Sequence, residues 1–267
     1  KPTNNPPNFQ TPRPNLFTAL GQVLGIGVIA PLYCFLHYTL SPIENFSALD
    51  QRLTSVRSAY AALPAVLLTY LVPFYLTLHW PGDLSPTRQA LLFVWQLYPV
   101  WLSLVLWALS RLRSDTMATD KISRTQRDLP IMRWSVGGAS ALAAGVWWWA
   151  WMVGGYGLRE VFVPVALPRS MASLAEFTAQ FLRWDQVFGF GSHLLWLAYL
   201  FWDLASAGML KEGWATAVGL GLGSVFVVGP GATVGLGWLW REHILATRRH
   251  KAALTPESVG RLHGASC

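Results

Sequence analysis

Charged residues are scarce in this chain. Asp, Glu, Lys and Arg make up 12% of its 267 residues, about half of what soluble domains carry. Cysteine is scarcer still: Cys34 lies in an apolar segment and Cys267 at the terminus, which supports neither a disulfide framework nor a thiolate metal cluster. No lysine falls inside an apolar block, because Lys1, Lys121, Lys211 and Lys251 all lie in tails or connections, so a retinal-type Schiff base has no anchor. No Asp-Asp or Asp-x-x-x-Asp pair is present to hold magnesium diphosphate. The six histidines, His37, His79, His193, His243, His250 and His263, include no i, i+4 pair of the kind that binds zinc or di-iron. A Gly-x-Ser-x-Gly nucleophile elbow is missing too, as is the Gly-Lys-Ser/Thr of a phosphate loop. Metal, diphosphate and covalent-serine chemistry are disfavoured, which leaves acid–base chemistry on an apolar substrate, or binding.

What is abundant is apolar. Hydrophobic residues make up 53% of the chain and 15 residues are Trp, which points to a polytopic membrane protein. The net charge of +7 sits in loops and tails, where it suits anionic headgroups; no basic–aromatic surface argues for nucleic acid. Six blocks reach the roughly 20 residues a spanning helix needs: 16–40, 58–79, 88–110, 132–153, 184–204 and 214–240. The expected fold is therefore all-α, a transmembrane helical bundle of about six spans. Pro31, Pro64, Pro73, Pro99 and Pro230 should kink it. Residues 1–15 read as a polar linker or tail, 16–245 as the bundle and 246–267 as a basic C-terminal tail. The last block is glycine-rich, from Gly219 to Gly237, and close helix packing is the expected use. Lys and Arg divide almost evenly between the two sides, so the positive-inside rule selects no orientation.

The fifth block is bracketed by two Trp-Asp pairs. Asp185 and Asp203 are eighteen residues apart, five turns of helix, so they share one face at a separation of roughly 27 Å. Gly189, Ser192, Trp196 and Tyr199 fall on the same stripe. Carboxylates at the ends of an apolar span are costly unless solvated, paired or used. If all six blocks span, Asp203 shares a membrane face with the connection 41–57, which carries Glu44, Asp50 and Arg52, and Asp185 lies at the opposite face. An acid at such a boundary is desolvated toward the range a general acid requires, unless Arg52 pairs with Asp50. An interfacial salt bridge or helix cap is the competing use of Glu44, Asp50 and Asp185, the last of which has Arg183 beside it. Asp203 has no base within four residues. Among the tryptophans, Trp80, Trp134, Trp184, Trp202, Trp214, Trp238 and Trp240 sit near block ends and fit an interfacial belt. Trp95, Trp101 and Trp196 lie near mid-depth, with Tyr98 close to the first two. Indole faces stabilise cations in dry pockets by up to about 2 kcal/mol or more. A pocket of indoles with one acidic proton suits carbocation chemistry; it suits a flat sterol or porphyrin equally well.

Two segments carry a resemblance. Pro31-Leu-Tyr-Cys-Phe-Leu-His-Tyr-Thr-Leu-Ser-Pro-Ile-Glu44, running on to Asp50-Gln-Arg52-Leu53, resembles the fungal membrane-bound terpene cyclases. So does Phe181-Leu-Arg-Trp-Asp185 through Phe201-Trp-Asp203-Leu-Ala-Ser-Ala-Gly-Met209. The branch most similar is that of the ascofuranone and ascochlorin cyclases of meroterpenoid pathways. The resemblance implies a cyclase with no metal or other cofactor, in which an acid protonates the terminal epoxide or olefin of a farnesyl chain on an aromatic or polyketide head. Cyclases of this kind carry further hydrophobic segments upstream, so the chain is expected to be part of a longer protein. Glu44, Asp50, Asp185 and Asp203 carry over as candidate acids and bases. His37, Arg52, Trp95, Tyr98, Trp101, Trp196 and Tyr199 are the expected substrate-binding residues. The expected setting is the endoplasmic reticulum membrane, with the lipid bilayer and a farnesylated small molecule as partners.

Two other readings compete: a Trp-rich carrier of a sterol- or porphyrin-like ligand, and a sterol double-bond isomerase. Microsomes bearing the protein are expected to cyclise an epoxyfarnesyl phenol equally well with and without EDTA. A strict magnesium requirement would contradict the metal-free mechanism.

Overall fold

The computed structural model describes residues 14–40, 56–82, 85–112, 128–155, 157–165 and 173–247, and no strand occurs among them. The helices are α1 (Pro14–Leu24), α2 (Ile26–Leu40), α3 (Val56–Val66), α4 (Val72–His79), α5 (Pro86–Gln96) and α6 (Tyr98–Leu112), followed by α7 (Asp128–Met132), α8 (Gly138–Val153), α9 (Leu158–Phe162), α10 (Leu174–Ser206), α11 (Trp214–Val228) and α12 (Pro230–Thr247). Single π turns at Leu67–Leu71 and Arg133–Gly137 join α3 to α4 and α7 to α8 without interrupting either helix. The first π turn lies between Pro64 and Pro73, where ring nitrogens cannot donate to the preceding turn. Threonines stand in nearby: Thr69 Oγ1 donates to Ala65 O and Thr77 Oγ1 to Pro73 O, both at 2.8 Å.

The described residues are all-helical, as expected, and the count of about six spans is not confirmed among them. Among the described residues, three helices are long and apolar enough to cross a membrane: Ala59–His79, Leu129–Val153 and Leu174–Ser206. A fourth is added if α5 and α6, bent by 64° at Leu97, count as one span. Backbone conformation breaks the other blocks. Gly25 (φ +91°) separates α1 from α2, and Gly229 (φ +83°) separates α11 from α12. Positive φ ends a helix, and glycine reaches it without a Cβ clash, whereas a hydropathy window reads straight through. Of the prolines expected to kink spans, Pro31 and Pro64 lie within helices, Pro73 follows a π turn, Pro99 follows the sharp bend and Pro230 begins α12.

The fifth block is longer than its apolar run. Ser173 caps α10 by accepting from Glu176 N at 3.3 Å, so helix replaces what reads as connection over residues 174–183. At 33 residues, α10 is about 50 Å long, well beyond a hydrocarbon core of about 30 Å.

The most extensive helix contact among the described residues is that of α2 on α10; α12 packs on α8 and α10, and α1 lies against both α2 and α6. A buried core gathers where α10 ends, from Leu197, Phe201, Leu204, Ala207 and Met209 with Ala217, Ile244 and Leu245. Outside it, large apolar side chains point outward, among them Val23, Leu112, Met152 and Phe226. Surfaces this apolar are stable against hydrocarbon rather than water. The glycine-rich block divides in two. In α12, Gly235 lies against Ser140 and Gly237 against Leu197, so close packing holds there. In α11, Gly219, Gly221 and Gly223 face open space.

Gly229 combines its positive φ with a backbone pressed on Trp147, whose ring atoms would lie 2.8 Å from an added Cβ. Gly229→Ala is expected to destabilise the bundle by about 1–3 kcal/mol, read as a lowered melting temperature in detergent. An unchanged melting temperature would show that the break at Gly229 is not required.

Candidate active site

The stripe on α10 faces α2, and its contacts progress from the start of α2 near Asp185 to the end of α2 near Asp203. Asp185 meets Gly27, Gly189 lies under Ile26, Trp196 meets His37 and Asp203 meets Tyr38. The two helices are therefore parallel, with one carboxylate at each end of the contact.

The two carboxylates are held differently. Asp185 Oδ1 accepts from Gly27 N at 2.7 Å. Gly27 is the second residue of α2, and the first turn of a helix has N–H groups with no intrahelical partner. Asp185 thus caps α2 from a neighbouring helix and places negative charge at the positive end of its dipole. Glycine is required at this crossing: a Cβ on Gly27 would lie 2.9 Å from both Cα and the carbonyl oxygen of Asp185. Arg183, the expected partner of Asp185, instead donates to Gln180 Oε1 at 3.3 Å.

Asp203 accepts a hydrogen bond from a side chain rather than from a helix end. The phenol of Tyr38 donates to its Oδ1 at 3.0 Å, and the Tyr38 ring lies 5.5 Å from that of Tyr199. Although no base lies near Asp203 in sequence, Arg241 of α12 is within electrostatic reach of it. Arg241 is paired with Glu242 at 2.7 Å, both side chains about 95% buried. Glu242 and Arg241 also act on His37. Buried charges of this kind are expensive unless paired, and inside a membrane bundle they mark a functional region by default. Both residues lie just past the last apolar block, 214–240, so hydropathy does not single them out. The available signal was two adjacent opposite charges inside an otherwise apolar helix.

Between the two carboxylates runs a line of rings. Phe17 contacts Tyr33 (5.3 Å), Tyr33 contacts His37 (5.9 Å), and His37 meets Trp196 edge-on at 5.1 Å and 90°. His193 lies on the far side of Trp196 at 6.5 Å, its Nδ1 2.7 Å from Gly189 O. His37 Nδ1 and Trp196 Nε1 are both buried with no hydrogen-bond partner, and leaving such groups unpaired in a dry site costs about 1–3 kcal/mol each.

Other expected site residues lie elsewhere. Trp95 and Tyr98 join Tyr70 and Phe74 in an aromatic box between α5, α6 and the first π turn. Trp95 Nε1 is unpartnered within that box. Trp101 is not part of it; its Nε1 donates to Val94 O at 3.1 Å across the bend. Glu44, Asp50 and Arg52 lie outside the described residues. Among the described residues, no group of three or more His, Cys, Asp or Glu is arranged to hold a metal ion.

Two grooves open on the surface. The larger, about 700 Å³, follows the glycine face of α11 and has no carboxylate in its lining. The smaller, about 360 Å³, is formed by Leu195, Ala198, Tyr199, Trp202 and Trp214, directly beside the Tyr38–Asp203 pair.

If Asp185 serves α2 as a cap, Asp185→Asn keeps an acceptor oxygen and should be nearly silent. Asp185→Ala should destabilise by about 0.5–2 kcal/mol. Equal melting temperatures for the two variants would contradict the capping role.

No solved structure matches the chain. A protein named FAD-dependent monooxygenase verC1, from Penicillium polonicum, is 41% identical over 92% of this chain, and a second of that description, anuJ of Penicillium roqueforti, is 37% identical over 86%. The chain spans only 30% and 28% of their respective lengths. Terpene cyclase ctvD of Aspergillus terreus is 27% identical over 86% of this chain and 67% of its own length. The family model described as CtvD domain matches residues 10–246. With nearly the whole helical region matched, the chain belongs to the CtvD-domain family of fungal terpene cyclases and their relatives.

Proposed function

We propose that this chain is a membrane-embedded, acid-initiated cyclase that opens a terminal epoxide or olefin on an apolar chain carrying an oxygenated head. The observation that carries the reading is the Tyr38–Asp203 hydrogen bond, set beside aromatic rings at the interface of α2 and α10. Tyr38 occupies Oδ1, so the transferable proton is assigned to Oδ2, which faces no such donor in this scheme. Asp203 gives that proton to the epoxide oxygen as the C–O bond breaks. Nearby π faces then stabilise the cation electrostatically. Ring closure and loss of a proton return the carboxyl to its starting state, and the net reaction is an isomerisation. His37 Nδ1 and Trp196 Nε1, unpartnered in the dry interface, are the groups available to an oxygen function of the substrate. Asp185 is assigned a positioning role through α2. The substrate class, a farnesylated aromatic or polyketide, and the endoplasmic reticulum membrane stay within this proposal.

The names of two relatives favour a second reading. A flavin in a dinucleotide-type site rests on a strand–helix–strand unit, which the described all-helical residues do not form. The chain corresponds to less than a third of those relatives, and in the second reading it holds an apolar substrate for oxidation by another part of a longer protein, without turning it over.

Asp203→Asn separates the two. A cyclase loses about 10²–10⁴ in turnover of an epoxyfarnesyl phenol, the range for removing a general acid, while retaining substrate binding. A holding domain keeps its function with Asn in place. Full turnover by Asp203→Asn would overturn the acid assignment.

A further inference from the structure

The groove beside Asp203 reads by sequence as part of an interfacial belt, because Trp202 and Trp214 both sit at block ends. Its construction differs from a belt. The Trp214 indole N–H donates to Ala198 O at 2.9 Å, so its polar edge is satisfied by the backbone of α10. Trp202 packs edge-on against Trp214, with centroids 5.2 Å apart at 89°. A belt tryptophan presents its N–H to headgroups and water, whereas here two indoles are fixed against each other with that N–H turned inward. Leu195, Ala198 and Tyr199 complete the lining. The volume of about 360 Å³ falls in the range of small-molecule sites, roughly 300–1,000 Å³, and the groove is open along one side.

Tyr199 belongs to two places at once. It lines the groove, and its ring contacts Tyr38, whose hydroxyl is bound to Asp203. On α10 it lies one turn before Asp203, and Trp202 immediately precedes it. Tyr199 is thus the one lining residue that connects the groove, through Tyr38, to the Asp203 carboxyl. The lining contains no charged side chain, and its polar atoms are limited to the Tyr199 hydroxyl and indole N–H groups, so the lining suits an extended hydrocarbon. Leu195, Tyr199 and Trp202 are each at least half exposed on a face that apolar surroundings cover.

We propose that this groove is the subsite for the isoprenoid chain of the substrate, and that the chain arrives laterally from the bilayer along α10 and α11. The proposal rests on the reading of Asp203 as the acid, because it is proximity to that carboxyl that distinguishes a substrate chain from an ordinary lipid tail.

The test uses the protein in nanodiscs and a photoactivatable epoxyfarnesyl phenol with a diazirine near the chain terminus, with binding and turnover read separately. Labelling is expected on Leu195, Trp202 or Trp214. It should be displaced by unlabelled substrate and unaffected by a tenfold excess of short-chain phospholipid. Ala198→Trp, which fills the groove, should reduce labelling at least tenfold, and Asp203→Asn should leave it intact while turnover falls. The mapping in the unsubstituted protein needs no variant to fold. Labelling elsewhere, or a groove label displaced equally by phospholipid, overturns the subsite. Groove labelling that persists with no turnover by the unsubstituted protein leaves an apolar-chain site standing and sinks the cyclase reading instead.

Discussion

The parallel packing of α2 on α10 is the contact on which the rest of the arrangement depends. It is fixed at one end by a charge-assisted hydrogen bond from the Gly27 amide to Asp185 and at the other by the Tyr38–Asp203 bond. Hydrocarbon gives helices no hydrophobic reason to associate, so small residues and interhelical hydrogen bonds decide which pairs form. Gly25 and Gly27 let the backbones meet, and Asp185 satisfies an amide that would otherwise be orphaned in a dry environment. Once that end is fixed, His37 and Tyr38 are set opposite Trp196, Tyr199 and Asp203. The same seam thus gives α2 its place and gives Asp203 its neighbours.

The seam also sorts two chemically identical side chains into different uses. Asp185 is engaged by a main-chain amide at a helix start, the usual setting of a structural carboxylate. Asp203 meets a phenol and lies within reach of a buried Arg241–Glu242 pair supplied by a third helix. The aromatic box around Trp95 and Tyr98 is separate from this centre, and α1 stands between them, touching α2 on one side and α6 on the other.

Much of the seam was legible in the sequence because helical periodicity is a property of one helix alone. The 185, 189, 192, 196, 199, 203 stripe follows from 100° per residue, and it is the face that packs on α2. What lies opposite a stripe cannot be read that way. Gly27 as the partner of Asp185, Tyr38 as the partner of Asp203 and the proximity of Arg241 are tertiary facts joining residues at least 38 positions apart. The continuity of the spans is hidden for a different reason: hydropathy is insensitive to φ, and Gly25, Gly229 and the bend at Leu97 interrupt blocks of uniform apolarity. The assignment of Trp202 and Trp214 to a belt rested on depth alone, whereas the structure ties Trp214 to the backbone of α10.

In the proposed reaction Asp203 and Tyr38 work as one proton-donating unit across the α2–α10 seam. A double-mutant cycle on epoxide opening, with Tyr38→Phe, Asp203→Asn and the pair in nanodiscs, reads that coupling. Strong non-additivity is expected, with the double variant no slower than Asp203→Asn alone, because the phenol has nothing to orient once the acid is gone. Rate losses that simply multiply, or an Asp203→Asn variant that opens the epoxide at the unsubstituted rate, would contradict it.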